Sequence, residues 1–320
     1  MINFKTCPIC HNKDFKFLFD TWDNSYGIDG EFPLYQCTCG VFFLNPQPEP
    51  DELKKYYPDD YYPAYGEDQA SLGQRIRSFL EKVFFVGNGS QNKIFKFLLF
   101  PISYLLRGIE CRLGYKILDY GCGSGDYLSK LKKYGLNVFG YDFNSFALEI
   151  ASRKGINVLP DSFWNLPEYK NFFDVITLNH VFEHLPDPIQ TLSRLKKSLK
   201  PSGTLILGVP NMNSLGSKIF SKNFVGIDSP RHLFLYNLKS LRKICSGLGF
   251  RIDKVRYHSL PCTFLLGLDC FLNKFRGESI LRKDSMLGKN IVLTAILFPL
   301  TTILAWTPWA DSVELWLRKE

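Results

Sequence analysis

From Tyr115 onward, short apolar runs alternate with stretches of helical periodicity. Lys116-Ile-Leu-Asp-Tyr, Asn137-Val-Phe-Gly-Tyr-Asp, Ile156-Asn-Val-Leu-Pro, Phe173-Asp-Val-Ile-Thr-Leu-Asn and Gly203-Thr-Leu-Ile-Leu-Gly-Val-Pro predict five strands, each bounded by turn residues. Asp126 to Tyr134 is the expected helix between the first two. A helix around Leu238 to Leu248, a strand near Phe250 to Tyr257 and a last strand, Ser312-Val-Glu-Leu-Trp-Leu-Arg, complete the pattern. Strands alternating with helices predict a doubly wound α/β domain with helices on both faces of its sheet. No internal repeat is visible.

The chain before Tyr115 reads differently. Cys7-Pro-Ile-Cys10 and Cys37-Thr-Cys39-Gly40 are two tight turns joined by alternating, strand-like text such as Phe15-Lys-Phe-Leu-Phe and Phe32-Pro-Leu-Tyr. A stiff proline turn, Asn45-Pro-Gln-Pro-Glu-Pro, leads to a short helix at Asp51-Glu-Leu and a Tyr-rich segment, Asp60-Tyr-Tyr-Pro-Ala-Tyr. Those tyrosines suit a lid over a ligand mouth or simple packing between the two parts, and the pattern does not choose. Residues 74 to 110 hold two apolar, aromatic-rich helical stretches, with eight Lys or Arg against two Glu from Arg75 to Lys116. Such text suits a membrane surface or helices packed on the sheet.

About fifty residues, Leu260 to Asp311, separate the last two strands, which a hairpin would normally join. They include Asn290 to Ala310, twenty-one residues without a charge, long enough by count to cross a bilayer. A single crossing would leave the final strand on the wrong side. Pro299 and Pro308 interrupt the run, and Trp306 and Trp309 are residues of the bilayer interface. The expectation is an interfacial or shallow re-entrant anchor paired with the basic helices, and the competing reading is a packed cap or dimer interface. The resulting segments are a Cys-rich module and lid (1–65), basic amphipathic helices (66–110), a core (111–263), a hydrophobic helical insertion (264–310) and the last core strand (311–320).

Ordinary globular composition excludes the disordered and fibrous classes. A net charge of +8 is compatible with nucleic acid, anionic lipid or a phosphorylated ligand and does not decide among them. A Cys pair follows Met1-Ile-Asn-Phe-Lys-Thr so closely that no secretory signal fits there, which gives a cytoplasmic expectation, peripheral on the inner membrane face if the anchor reading holds. Nine cysteines in that compartment read as metal ligands where they cluster. Cys7, Cys10, Cys37 and Cys39 are thus expected to hold a structural Zn2+, with His11 as a substitute ligand. Four protein ligands leave no open position for chemistry.

The chemistry concentrates at Asp119-Tyr-Gly121-Cys122-Gly123-Ser-Gly125, where the first strand turns into a helix. Ligands of doubly wound folds bind outside the carboxyl ends of the strands. The spacing is GxGxG, with Asp126 where the third glycine of a dinucleotide fingerprint would stand. That favours S-adenosylmethionine (SAM), which carries no phosphate and brings a sulfonium and an amino-acid head. Asp119 is expected to face the amino end. Asp142, seventeen positions after Gly125, is expected to accept both ribose hydroxyls. Phe143 beside it, and Asp161, Ser162 and Phe163 after the third strand, are expected at the adenine, and Asn179 ends the fourth strand at the same mouth.

Ile117-Leu-Asp-Tyr-Gly-Cys-Gly-Ser-Gly, Tyr141-Asp142, Phe173-Asp-Val-Ile-Thr, Val181-Phe-Glu-His-Leu-Pro-Asp-Pro and Leu199-Lys-Pro-Ser-Gly-Thr-Leu together resemble the successive motifs of class I SAM-dependent methyltransferases. The resemblance covers roughly residues 110 to 260 and the final strand. It implies a Rossmann-like, seven-stranded sheet with an antiparallel last strand, to which this chain adds a small N-terminal zinc-ribbon-like module and the helical insertion. The Cys-rich start with Gly40-Val-Phe-Phe-Leu-Asn-Pro-Gln-Pro resembles the leader of one branch of that family, many of whose members look like tailoring enzymes for bacterial polysaccharides or lipids. Ser202 stands where Gly-Gly is usual, a minor departure.

Methyl transfer from a sulfonium is an in-line displacement, so alignment dominates, and a base is needed only for a hydroxyl or carbon acceptor. Asn179-His180, Glu183-His184 and Arg231-His232 are the polar groups nearest the expected mouth. His232 is the preferred base candidate, with His184 and Glu183 either orienting their loop or sharing the role. The expected activity is methylation of a hydroxyl or carbon on a membrane-associated glycan or lipid-linked intermediate, with a soluble small-molecule O-methyltransferase as the alternative. A noncatalytic membrane scaffold and an NAD(P)-dependent oxidoreductase are the other classes. Nucleic acid is the weakest partner, because no Asn-Pro-Pro-Tyr-type element follows the fourth strand. Oligomeric state is not legible.

Overall fold

A computed structural model describes residues 1–57, 112–275, 285, 287 and 290–320. The expected basic helices and the Tyr-rich segment fall outside the described residues. The strands in chain order are β1 (Phe15–Thr21), β2 (Phe32–Cys37), β3 (Phe42–Leu44), β4 (Lys116–Tyr120), β5 (Asn137–Tyr141), β6 (Asn157–Val158), β7 (Phe173–Asn179), β8 (Leu199–Pro210), β9 (Phe234–Leu235), β10 (Phe250–His258) and β11 (Ser312–Lys319). They form a four-stranded sheet, β1-β2-β3-β9, and a seven-stranded sheet, β10-β11-β8-β7-β4-β5-β6, with antiparallel last strands. The α/β, Rossmann-like architecture implied by the sequence is therefore the one adopted.

Contacts group the chain into two compact units. One comprises Asp59–Asn179, Leu192–Leu207 and Trp316–Glu320. Here β4 lies between β5 and β7, parallel to both, with Leu118 opposite Phe139 on one side and Ile176 on the other. Ile117, Leu118, Asp119 and Tyr120 are all buried, as expected of a strand covered on both faces. Ile117, Leu128, Leu131, Val138, Ile156 and Val175 form one core cluster, and each such side chain contributes about 1.5–3 kcal/mol by leaving water. The third expected strand is cut to Asn157–Val158; Pro160 has no N–H to extend a ladder.

The other unit comprises Met1–Pro58, His180–Thr191 and Gly208–Leu315. Strand β1 pairs antiparallel with β2, and β2 with β3. The N-terminal sheet is completed from far along the chain, where Phe42 pairs with Leu235 and Phe43 with Phe234. Arg231, fully buried, fastens the same two stretches: its Nη2 donates to Asp23 at 2.6 Å, its Nε to Asp228 at 2.9 Å and its Nη1 to the Tyr56 carbonyl at 2.9 Å. The late insertion forms two mutually packed helices, Pro261–Phe275 and Ile291–Leu304. Asn290 caps the second by accepting from Val292 and Leu293 N–H. No described helix is long and apolar enough to cross a membrane. Val292, Ile296, Phe298, Leu300, Ile303, Trp306 and Trp309 are exposed on or just beyond it.

Candidate cofactor site and a histidine cluster

The glycine turn is a backbone device. Gly121, Gly123 and Gly125 have φ of 85°, 52° and 75°, left-handed values that a side chain would strain. The N–H groups of Gly121 and Cys122 both donate to the Tyr141 carbonyl, at 2.7 and 3.0 Å, which draws the turn across the end of β5. The Gly123 N–H donates to Asp142 Oδ2 at 2.8 Å, and Asn144 N–H to Asp142 Oδ1 at 3.0 Å. Open space surrounds the position where a Gly123 side chain would begin. A Cβ on Gly140 would lie 2.7 Å from Cys122 Sγ, so the thiol packs against a glycine while it donates to the Gly123 carbonyl at 3.5 Å.

Two buried carboxylates face this turn with no cationic side chain among their described hydrogen-bond partners. Asp119 is held by Thr177 Oγ1 at 2.5 Å. Burial raises its pKa to about 7, with the Asp142 charge adding to the rise and the Thr177 bond opposing it. Burial likewise lifts Asp142, against the backbone N–H groups of Asn144, Gly123 and Phe143. Acids raised in this way gain when a cation arrives. The following helix, Asp126–Lys133, begins with an acid, and Lys154 ties Asp126 Oδ1 at 2.6 Å and the Ser124 carbonyl at 3.0 Å. An anion-binding helix start would not carry Asp126. The residues present thus fit a cationic nucleoside better than a pyrophosphate.

Asp119, Gly121, Cys122, Gly123, Gly125 and Asp142 lie together at the ends of β4 and β5. Phe143 is 66% exposed beside Asp142. Asp161 accepts a short hydrogen bond from Tyr141 Oη, and Ser162 begins the turn after it. Asn179 ends β7, the strand beside β4. Phe163 is different: its ring is fully buried against Tyr141, Trp164 and Phe173, so it serves the core rather than a ligand. Thr177 and Lys154 were not singled out from the sequence. Thr177 lies in the quoted Phe173-Asp-Val-Ile-Thr motif, where a hydroxyl on an otherwise apolar strand is the available signal.

A second cluster lies in the other unit. Glu183 is fully buried, and neither carboxylate oxygen has a hydrogen-bond partner among the described residues. His180 Nδ1 approaches Glu183 Oε1 to 3.3 Å without completing a hydrogen bond, and His232 Nε2 lies 3.9 Å from the same oxygen. His180 itself takes φ of 54°, a costly conformation for a residue with a side chain. His184 and His232 meet edge to face with ring centroids 4.5 Å apart. His232 Nδ1 is 2.8 Å from the Gly226 carbonyl, and His184 Nδ1 is 3.0 Å from the Arg231 carbonyl and 3.1 Å from Tyr57 Oη. A carbonyl only accepts, so each Nδ1 carries the proton and each Nε2 presents a lone pair. Burial, then the neighbouring His184, lowers the His232 pKa to about 4. Burial also lowers His184, against the charges of Glu183 and Asp228. Both rings are neutral at neutral pH. Glu183 is held below the usual carboxylate range chiefly by the His180 contact, although burial opposes it.

The four N-terminal thiols also converge. Cys7 and Cys39 Sγ are 4.0 Å apart, Cys10 and Cys37 Sγ 3.5 Å, and all four lie within 4.8 Å of one another. A tetrahedral Zn2+ with bonds of about 2.3 Å requires sulfurs about 3.8 Å apart, which those two distances bracket. The backbone N–H groups of Ile9 and Cys10 point at Cys7 Sγ, as in a metal-binding knuckle, and Cys39 N–H donates to Cys37 Sγ at 3.5 Å. His11 is exposed and takes φ of 59°.

Sheet order, glycine turn and paired strand-end acids define the Rossmann-like class that binds a nucleoside cofactor. The family model described as "Methyltransferase domain" matches residues 75–255, more than half of the chain, and the chain belongs to this family of SAM-dependent methyltransferases. A ubiquinone biosynthesis O-methyltransferase of Actinobacillus pleuropneumoniae serotype 7 (strain AP76) is 30% identical over 135 residues, 39% of this chain and 58% of that protein. A demethylmenaquinone methyltransferase of Staphylococcus saprophyticus is 32% identical over 110 residues, 32% of this chain and 47% of that one. The chain thus spans about half the length of the curated relatives it matches. A SAM-dependent methyltransferase from Archaeoglobus fulgidus is a structural neighbour, with TM-score 0.43, 22% identity and coverage of 75% of this chain and 99% of that chain.

Proposed function

We propose that this protein transfers the methyl group of SAM to a hydroxyl of a small-molecule acceptor. The observation that carries the reading is the pair of buried acids, Asp119 and Asp142, set about the Gly123 turn ahead of an acidic helix start. Asp142 accepts the ribose hydroxyls, Asp119 faces the amino group, and Phe143, with Asp161 and Ser162, covers the adenine. Bound there, SAM supplies a methyl carbon on a sulfonium leaving group. A hydroxyl acceptor agrees with the name of one relative, a ubiquinone biosynthesis O-methyltransferase. The name of the other relative, a demethylmenaquinone methyltransferase, likewise agrees with a small acceptor.

A second reading places the acceptor at a membrane, as a glycan or lipid-linked intermediate. It rests on the exposed apolar row from Val292 to Trp309, which suits an interfacial contact on the inner membrane face. The domain limits expected from the sequence, with 264–310 as a separate insertion, belong to this reading. Cys7, Cys10, Cys37 and Cys39 are assigned to one structural Zn2+ that closes the N-terminal ribbon.

Calorimetry of the full chain with SAM and with NAD tests the cofactor. SAM is expected to bind and NAD not to, and absence of SAM binding would end the proposal. Methyl-labelled SAM in a cell extract then identifies the acceptor; a labelled glycan or lipid in place of a small molecule would favour the second reading.

A further inference from the structure

We propose that Glu183, His184 and His232 form a second metal centre, binding one divalent first-row transition-metal ion through Glu183 and the Nε2 atoms of both histidines. One ligand atom from each of the three residues lies within 4.8 Å of the other two, and His232 Nε2 is 3.9 Å from Glu183 Oε1. Two features beyond proximity point to an ion. Glu183 is completely buried, yet both of its oxygens lack a hydrogen bond among the described residues. Leaving a buried polar group unpaired costs about 1–3 kcal/mol, more for a charged one, and a cation would remove that cost. Each histidine also donates its other ring nitrogen to a backbone carbonyl, His232 to Gly226 and His184 to Arg231. Metal-bound imidazoles are oriented in this way, with the second nitrogen fixed by a carbonyl or carboxylate so that the first keeps its lone pair for the ion.

The support is deep. The backbone carbonyl that orients His184 belongs to Arg231, whose side chain is clamped by Asp23 and Asp228. Gly226 would clash with Phe224 and Pro210 if it carried a Cβ, so the loop presenting its carbonyl to His232 is tightly packed. His232 Nε2 and Glu183 Oε1 stand 3.9 Å apart, and ligands at about 2.0–2.1 Å in a tetrahedral site stand about 3.4 Å apart, so a small side-chain movement closes the set.

Two histidines and one carboxylate differ from the four thiols in leaving coordination positions open. The role of the ion, though not its binding, rests on the proposed hydroxyl methylation. A hydroxyl bound at such an ion becomes more acidic and can release its proton to water without any change in oxidation state.

Titration of the metal-stripped, reduced full chain with Co2+ tests the proposal, because thiolate ligation gives an intense near-ultraviolet charge-transfer band that nitrogen and oxygen ligands do not. The expected result is a first equivalent that saturates the thiolate band and a second that adds only weak visible bands. His232→Gln and Glu183→Gln should each abolish the second equivalent, and the retained thiolate band and SAM affinity report that the variants are folded. A titration that ends with the thiolate band, or a second equivalent that survives both substitutions, overturns the metal centre. SAM binding measured on the same samples stands or falls separately, so failure of the ion and failure of the cofactor reading are distinguishable.

Discussion

The glycine turn and the histidine cluster are both buried polar sites, but they are assembled by opposite means. The turn is local: Gly123 and Asp142, which clasp it, are nineteen residues apart, and the conformations it needs are those only glycine adopts freely. The cluster is non-local. His184 owes its orientation to a carbonyl on Arg231, and Arg231 is anchored to Asp23, 208 residues earlier. The cofactor end of the protein is therefore specified by a short motif and can tolerate change elsewhere, whereas the cluster depends on the N-terminal ribbon being in place.

The strongest way to break that contrast is Asp23→Ala. It leaves one contact of a fully buried guanidinium unmatched and is expected to cost about 3–5 kcal/mol, somewhat less if Asp228 compensates. Urea unfolding should show the loss, while SAM affinity, measured where the protein is still folded, should hardly move. Equal losses in both would contradict the separation of the two regions.

Asp142→Ala should do the reverse. Removing an acceptor of charged hydrogen bonds costs about 1.5–3 kcal/mol, so SAM affinity should fall about 10-fold to 100-fold with folding retained. Calorimetry beside a thermal melt decides it, and unchanged affinity would remove Asp142 from the site.

A smaller effect sharpens the role of Asp119. Its folded pKa of about 7 lies above the unfolded carboxylate value, so the unliganded protein loses stability as pH rises towards and through 7 and the buried acid ionises. A bound ammonium favours the ionised form. SAM binding should therefore release a proton below pH 7, and affinity should weaken by up to about tenfold per pH unit as pH falls below 7. Asp119→Asn should bind more weakly with a flat profile; an unchanged slope would place the proton elsewhere.

Much of the fold was legible because its signals are local. Strands β4, β7 and β11 lie where apolar runs bounded by turn residues predicted them, and the GxGxG spacing together with Asp126 already argued against a phosphate at the helix start. Phe163 shows the limit. In the sequence it is an aromatic residue after a strand beside two polar ones, and only packing places its ring in the core. Asp119 shows another: the motif marks it, but its raised pKa follows from burial and from the distance to Thr177 and Asp142, which no spacing conveys.

The sequence by itself determined the alternation of strand and helix, the glycine turn, the acids at the strand ends and the two cysteine turns, because each is a property of residues close together in the chain. Only the tertiary structure decided that Phe42 pairs with Leu235, that Arg231 reaches Asp23, and that Glu183 lies buried among three histidines. Those contacts join segments whose meeting is set by the burial of whole elements rather than by local conformation, so no short stretch of the chain encodes them alone.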